Sequence, residues 1–390
     1  MNEKGAKIVY TTVNDLSGFG GVETMFIQEV RYLTARGFNV HVLSPEPKGK
    51  IRIEQGEGVV TRHFPSHTRR IWWPVRYIML VLWFSREIHR MAKHERVVSV
   101  SFTIIDGAGP ALAKIMRANV RTVLRVVGPF SFEVEHYFLP VRTTKHKVLG
   151  RLSKLVEAFS YIMADSVLPI SEFEEANIKG YHVNPRKVKL IRCGIDESVF
   201  NGGKAARVLT LPAQSKVVMF VGRLVEKNGP LVIADAAPTI LKSVPDCIIV
   251  FVGDGVLRKT IETKLKTEIA SGRVVMTGSR SDIPQLHAQA DVYVGHVSSM
   301  VEGLGQTVFE AMMSGLPVVA GSDNISKTII ADGVSGLLVP KDNPKEVAEA
   351  VIALLRDEQL RKRMGTAARE VAVKTLSFES MMRDVMKELA

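Results

Sequence analysis

The sequence predicts an α/β chain of two doubly wound domains, each a parallel sheet flanked by helices, facing a shared cleft. Three observations carry this expectation. Apolar runs of strand length alternate with helical periodicity, the pattern restarts after a polar stretch near the middle, and 390 residues is the length of two ordinary domains. In the first half Lys7–Val13 reads as a strand, Gly18–Gly21 as a turn and Glu23–Arg36 as a helix stopped by Gly37. Asn39–Leu43, Val97–Phe102, Thr122–Val127, Val167–Ile170 and Val188–Ile191 follow as strands, so residues 1–195 form the first domain. The polar stretch Gly194–Ser215 supplies a linker over 196–215, and residues 216–376 form the second domain. There Val217–Val221, Cys247–Val252, Val274–Thr277, Val292–Val294 and Pro317–Ala320 are the strands, with helices over Gly229–Ser243, Leu257–Ala270 and Thr307–Ser314. The segment 377–390 is expected to pack back on the first domain.

Composition narrows the function. With 46% hydrophobic and 24% charged residues the chain is an ordinary globular protein, and wholesale disorder is excluded. Two cysteines, Cys193 and Cys247, make neither a disulfide framework nor a zinc site, which points to a reducing cytosolic setting. The charged start leads straight into Ile8–Val13, one strand long and too short for a signal-peptide core. The net charge of +12 is lopsided: residues 1–195 hold 29 basic and 17 acidic side chains, residues 196–390 hold 23 of each. The first half therefore either faces something anionic or carries a solvated basic surface.

Phosphate-handling motifs sharpen the reading. Neither Gly49-Lys50 nor Gly203-Lys204 is followed by a hydroxyl residue, which removes the P-loop class. The dinucleotide fingerprint fails twice, because Glu23 and Arg258 stand where its third glycine belongs. In the second half the Val217–Val221 strand runs into Gly222-Arg223-Leu224-Val225-Glu226-Lys227-Asn228-Gly229. Arg223 and Lys227, four positions apart, suit convergence on one diphosphate, the first gripping two oxygens and the second adding a mobile charge. Further on, Glu302-Gly303-Leu304-Gly305-Gln306 enters a helix that carries Glu310. The glycines admit close backbone approach, and the two carboxylates suit hydroxyls at different points of one ligand. No metal is expected, since no histidine or further acid joins that pair.

These residues together resemble retaining glycosyltransferase family 4, whose fold is GT-B: two Rossmann-like domains facing a central cleft. The likeness extends to Gly20-Gly21-Val22-Glu23, Pro169-Ile170-Ser171-Glu172, Gly194-Ile195-Asp196, Val252-Gly253-Asp254-Gly255, Ala290-Asp291 and the run Asp332–Val339. The resemblance implies a nucleoside-diphosphate sugar, with UDP or GDP, as donor substrate and no other cofactor. Arg223 and Lys227 would bind its diphosphate and stabilise the charge left on it, with Gly20 and Gly21 capping from the other domain. Glu310 would hold the ribose hydroxyls, and Glu302 with Gly303, Leu304 and Gly305 the donor hexose; Arg223, Lys227 and Glu302 are the expected catalytic groups. One departure is plain: many members carry a histidine where this chain has Val127. Arg125 and Glu133 are candidates for acceptor contacts, Arg125 alternatively a structural ion-pair partner; Glu135 and His136 follow Glu133 closely.

The acceptor side has its own signal. All three tryptophans fall within residues 72–83, and residues 61–96 hold eight basic against two acidic side chains. The apolar stretch Tyr77–Phe84 is far too short to span a bilayer. Phe84, Ile88 and Met91 on one face, with Arg86, Arg90 and Lys93 on another, fit an interfacial helix on anionic lipid or a core helix with a solvated basic side. The first alternative makes the protein peripheral to the inner face of the cell membrane, acting on a glycan or lipid-linked acceptor. Nucleic acid is not expected, because no nucleic-acid-binding module accompanies the charge. Two other functions share the two-domain shape: a sugar-nucleotide isomerase or epimerase, and a non-catalytic nucleotide-sugar-binding protein.

Overall fold

Runs of β-branched residues become the strands of two parallel sheets, each in a unit of its own: Met1–Arg192 with Met382–Ala390, and Cys193–Met381. The computed structural model describes residues 6–14, 16, 21–47, 59–65, 68, 73–128, 144–203, 208–212, 214–300 and 305–390. In the first unit β1 (Lys7–Thr11), β2 (Val40–Pro45), β3 (Val59–Phe64), β4 (Val97–Ser101), β5 (Val120–Val126) and β6 (Ser166–Pro169) lie in the order β3-β2-β1-β4-β5-β6. All neighbours are parallel, as crossover helices require. The helices are α1 (Gly21–Ala35), α2 (Trp73–Met91), α3 (Ile104–Ile115), α4 (Thr144–Met163) and α5 (Glu172–Lys179).

In α2, Leu80, Phe84, Ile88 and Met91 fall on one face and are buried against Val9, Leu43, Phe64 and Val97. The face expected to lie on lipid is therefore a core face, and burial of that apolar stripe is what holds the helix to the sheet. At the start of α3, Thr103 and Asp106 form a reciprocal capping box. Asp106 also accepts a 2.6 Å bond from the Val13 amide, which ties the exit of β1 to α3, and burial pushes its carboxyl up to about 7.

The second unit repeats the plan. Its strands are β7 (Lys216–Val221), β8 (Cys247–Val252), β9 (Val274–Gly278), β10 (Val292–Gly295), β11 (Val318–Gly321) and β12 (Leu337–Val339). They lie in the order β12-β11-β10-β7-β8-β9, the first unit's order read from the opposite edge. Among its helices are α6 (Pro230–Ser243), α7 (Arg258–Lys264), α8 (Gln306–Met313), α9 (Pro344–Arg356) and α10 (Glu358–Leu376). Val218, Phe220, Ile249, Phe251, Val292 and Val294 fill the core with Ile233, Ala237 and Ile240 of α6 and Val347, Val351 and Leu354 of α9. In both sheets the strand order reverses beside the first strand, at β1/β4 and at β7/β10, and such reversals open the crevice in which doubly wound sheets take ligands.

After α10, α11 (Phe378–Leu389) carries the chain back into the first unit. There Ser166 Oγ donates to Glu388 Oε2 (2.8 Å), Arg121 Nε donates to the Glu388 carbonyl (3.0 Å), and Lys189 pairs with the same carboxylate. The units part at Arg192/Cys193 and Met381/Met382, where the sequence reading has 195 and 377.

Some elements differ from expectation. Val188–Ile191 forms no strand: Val188 makes one isolated bridge to Val167. The helix expected over Leu257–Ala270 is two, Arg258–Lys264 and Lys266–Ala270, interrupted at Leu265. β3 and β12 are additional, each an edge strand of its sheet.

Candidate functional site

The site grows from the reversal point of the second sheet. β7 ends at Val221, and Gly222 to Lys227 turn across its carboxyl edge before α6 begins. Backbone bonds fix the turn: the Gly222 amide donates to Val252 O (2.9 Å), the Leu224 amide to Asp254 O (2.9 Å), and the Leu257 amide to Leu224 O (3.0 Å). The supporting segment comes so close that a side chain on Gly253, at φ 136°, would run into the Gly222 carbonyl. Asn228 Nδ2 donates to the Arg223 carbonyl (2.8 Å), and Glu226–Asn228 close as a single 3₁₀ turn. Arg223 and Lys227 thus project from a braced turn, not from one helix face; Arg223 is exposed and Lys227 half-buried.

β10 pairs directly with β7, Val292 with Val218 and Tyr293 with Met219, which sets the two strand exits side by side. The Tyr293 hydroxyl lies 2.8 Å from Thr307 Oγ1 and 3.2 Å from the Val221 carbonyl, so one buried phenol joins both exits to the start of α8. Gly305 is the N-cap of α8 and, being glycine, offers its first amides no side-chain acceptor. The positive end of the helix lies at this point, where an anion or a polar ligand atom is favoured.

One turn inside α8, Glu310 is only half-accessible, and burial alone pushes its carboxyl up to about 8. Among the described residues no cation pairs with it. A carboxyl held in protein surroundings without a counter-charge is costly to ionise, unless a ligand supplies hydroxyl donors.

Beside this stands His296, the residue that follows β10. It takes a left-handed backbone conformation (φ 54°), a region in which non-glycine residues are uncommon and histidine, asparagine and aspartate are the ones enriched. Burial, then Lys341 and Lys227, hold its imidazole down at about 4, so it is neutral at physiological pH. Lys341 pairs with Asp323 at 2.6 Å, both side chains almost fully covered. The sequence alone does not single out His296, Tyr293 or the Asp323–Lys341 pair. Their only signal there is position, directly after β10, near its middle and after β11 and β12.

The remaining candidates separate cleanly. Glu302, Gly303 and Leu304, Gly20, and Glu133, Glu135 and His136 lie outside the described residues. Gly21 is the exposed first residue of α1. Arg125 is a correction: its side chain is 0% exposed, 3.1 Å from the equally buried carboxylate of Glu29, whose Oε2 also accepts from Tyr10 Oη (3.0 Å). A guanidinium sealed in this way is a structural ion-pair partner and has no surface for an acceptor. Val127, at the position of the family histidine, is half-buried.

With this geometry in hand, the similarities fall into place. Residues 19–199 match Glycosyltransferase Family 4 and residues 203–371 match Glycosyl transferases group 1. A UDP-Gal:alpha-D-GlcNAc-diphosphoundecaprenol alpha-1,3-galactosyltransferase of Escherichia coli is 25% identical over 92% of this chain and 91% of its own length. A D-inositol 3-phosphate glycosyltransferase of Corynebacterium diphtheriae is 32% identical over 53% of this chain and 52% of that protein. In fold, the crystal structure of Anabaena HepE in complex with UDP-glucose superimposes with a TM-score of 0.76 at 19% identity, covering 98% of this chain and 99% of that one. The doubly wound pair of sheets is the GT-B fold, and the chain belongs to the family 4, group 1 glycosyltransferases.

Proposed function

We propose that this glycosyltransferase moves a hexose from a UDP-sugar, with retention and without a metal ion, to a glycan or lipid-linked acceptor at an anionic membrane surface. Arg223 and Lys227 bind the diphosphate and stabilise the charge that stays on it when the anomeric bond breaks. Glu310 takes the ribose hydroxyls, Glu302 and the Gly303–Gly305 backbone take the hexose, and Gly20 with Gly21 caps the donor. The observation that carries this reading is Glu310. Its half-accessible carboxyl is raised by burial, has no cation partner among the described residues, and stands one turn inside a helix whose N-cap is a glycine at the sheet's reversal point. Support for uridine comes from the galactosyltransferase, whose name specifies UDP-Gal, and from the HepE complex with UDP-glucose.

Calorimetric titration with UDP, GDP and ADP tests the donor class; UDP is expected to bind tightest, and indifference among the three defeats the uridine reading. Transfer from radiolabelled UDP-hexoses, with and without a chelator, tests chemistry and metal independence together. Activity that vanishes with chelator and returns with a divalent ion would reverse the second.

The membrane part rests on α2. Although one face of it is core, Val75, Ile78 and Leu82 share another that is open, Ile78 being 61% exposed, and Arg86 beside them is exposed as well. An apolar stripe rimmed by cations, in the half of the chain that holds the whole charge surplus, suits an anionic bilayer at the inner, cytoplasmic face of the membrane. The diphosphoundecaprenol acceptor in the name of the E. coli relative agrees with this. Among the described residues no helix is long and apolar enough to cross a membrane. Sedimentation with phosphatidylglycerol vesicles at low salt is the test; protein that stays in the supernatant refutes it.

A further inference from the structure

We propose that His296 is a positioning residue for the donor: its ring is the wedge against which Gly305, and with it the start of α8, is seated. This rests on the donor-site reading above and adds to it a residue that touches the loop and not the reacting atoms. The ring lies directly over Gly305. A Cβ added there would stand 2.6 Å from His296 Cε1 and 2.8 Å from Cδ2, and nearer still to Nε2. Contacts that close mean the glycine is required by the imidazole, and that the imidazole limits how near α8 comes to β10.

The wedge is itself held from behind. The Gly321 amide donates to the His296 carbonyl (3.2 Å), the Asp342 amide donates to the carbonyl of Val297 (2.8 Å), and the Ser299 amide donates to Asp342 Oδ2 (3.1 Å). These bonds fix the segment after β10 to the ends of β11 and β12, and they maintain the left-handed conformation of His296. Lys227 and Lys341 act on the same ring. The segment that carries the ring also packs on the turn after β7, since a Cβ on Gly229 would stand 2.8 Å from Val297 Cγ2 and 3.0 Å from the Ser298 amide nitrogen. His296 and its neighbour thus bridge the cationic turn and the start of α8, the two parts that must keep a set distance to clasp a diphosphate sugar.

The experiment is a double-mutant cycle read by UDP titration on the full chain, with a melting curve for each variant to confirm folding. Gly305→Ala is expected to weaken UDP binding on the order of a hundredfold, because the new methyl group displaces the ring and the helix start. His296→Ala is expected to weaken it about tenfold, and the double variant to bind like His296→Ala alone, the clash having gone. His296→Asn separates ring from backbone, since asparagine accepts a left-handed conformation; it should match His296→Ala. Losses that multiply in the double variant, or an asparagine variant that binds like wild type, overturn the wedge while leaving the donor site intact. Wild-type protein that binds no UDP overturns the donor-site reading and this inference with it.

Discussion

Each unit sets a glutamate raised by burial on a helix beside its sheet's reversal, and the two acids have opposite lives. Glu29, on α1, is completely covered, and Arg125 and Tyr10 answer it inside the core. Glu310, on α8, is similarly raised by burial, yet no cation among the described residues reaches it. The difference teaches that a perturbed carboxyl does not by itself mark a site. On the proposed donor-site reading, what separates the two is whether the described protein supplies the partner, as for Glu29, or a ligand does, as for Glu310.

The comparison breaks most visibly at Arg125. Replacing it with methionine strands a buried carboxylate and should destabilise the first unit by about 3–5 kcal/mol in chemical denaturation. Adding Glu29→Leu should restore most of that loss, and UDP affinity of the folded protein should stay unchanged in both variants. An Arg125→Met protein of wild-type stability would show that the pair is not a structural unit. Next in size, Arg223→Ala and Lys227→Ala should each lower kcat/KM for sugar transfer by about 2–4 kcal/mol of barrier. Melting temperature should hardly move for Arg223→Ala, since that side chain is exposed.

Glu310 gives a smaller but more diagnostic effect. Its carboxyl is raised to about 8 in the folded protein from an ordinary value near 4.5, so the folded state holds the proton more tightly than the unfolded chain does. The associated stability is fully present below the ordinary value and is lost as pH rises toward 8. Glu310→Gln cannot ionise, so it should melt above wild type at pH 8.5 and with it at pH 4, while the stabilisation that UDP confers shrinks. Equal melting of the two proteins across that range would contradict the burial assigned to this carboxyl. Smallest of all, Ile78→Ser with Leu82→Ser should reduce vesicle binding and leave melting nearly unchanged, because both side chains are exposed.

Much of this architecture is legible in the chain because parallel strands buried on both faces are written as unbroken apolar runs, such as Cys247–Val252. β3 escaped because its Thr61-Arg62-His63 is polar, as an edge strand permits, and β12 because three residues make no pattern. Arg223, Lys227 and Glu310 could be nominated because turn, helix start and charge fall within short stretches of sequence. The sealing of Arg125 could not, since Glu29 belongs to a distant helix and only packing brings them together. His296 stayed hidden for a related reason: its meaning lies in a backbone approach to Gly305, and no residue type spells that out.

The segment Met382–Ala390 belongs to the unit that is translated first, although it is translated after the whole of the second. Until Glu388 is made, the first unit lacks the bonds that this residue forms with Arg121, Lys189 and Ser166, and it is completed only when Glu388 arrives. Its completion is thereby coupled to synthesis of the second unit, so a chain interrupted between the two leaves a first unit without its closing segment.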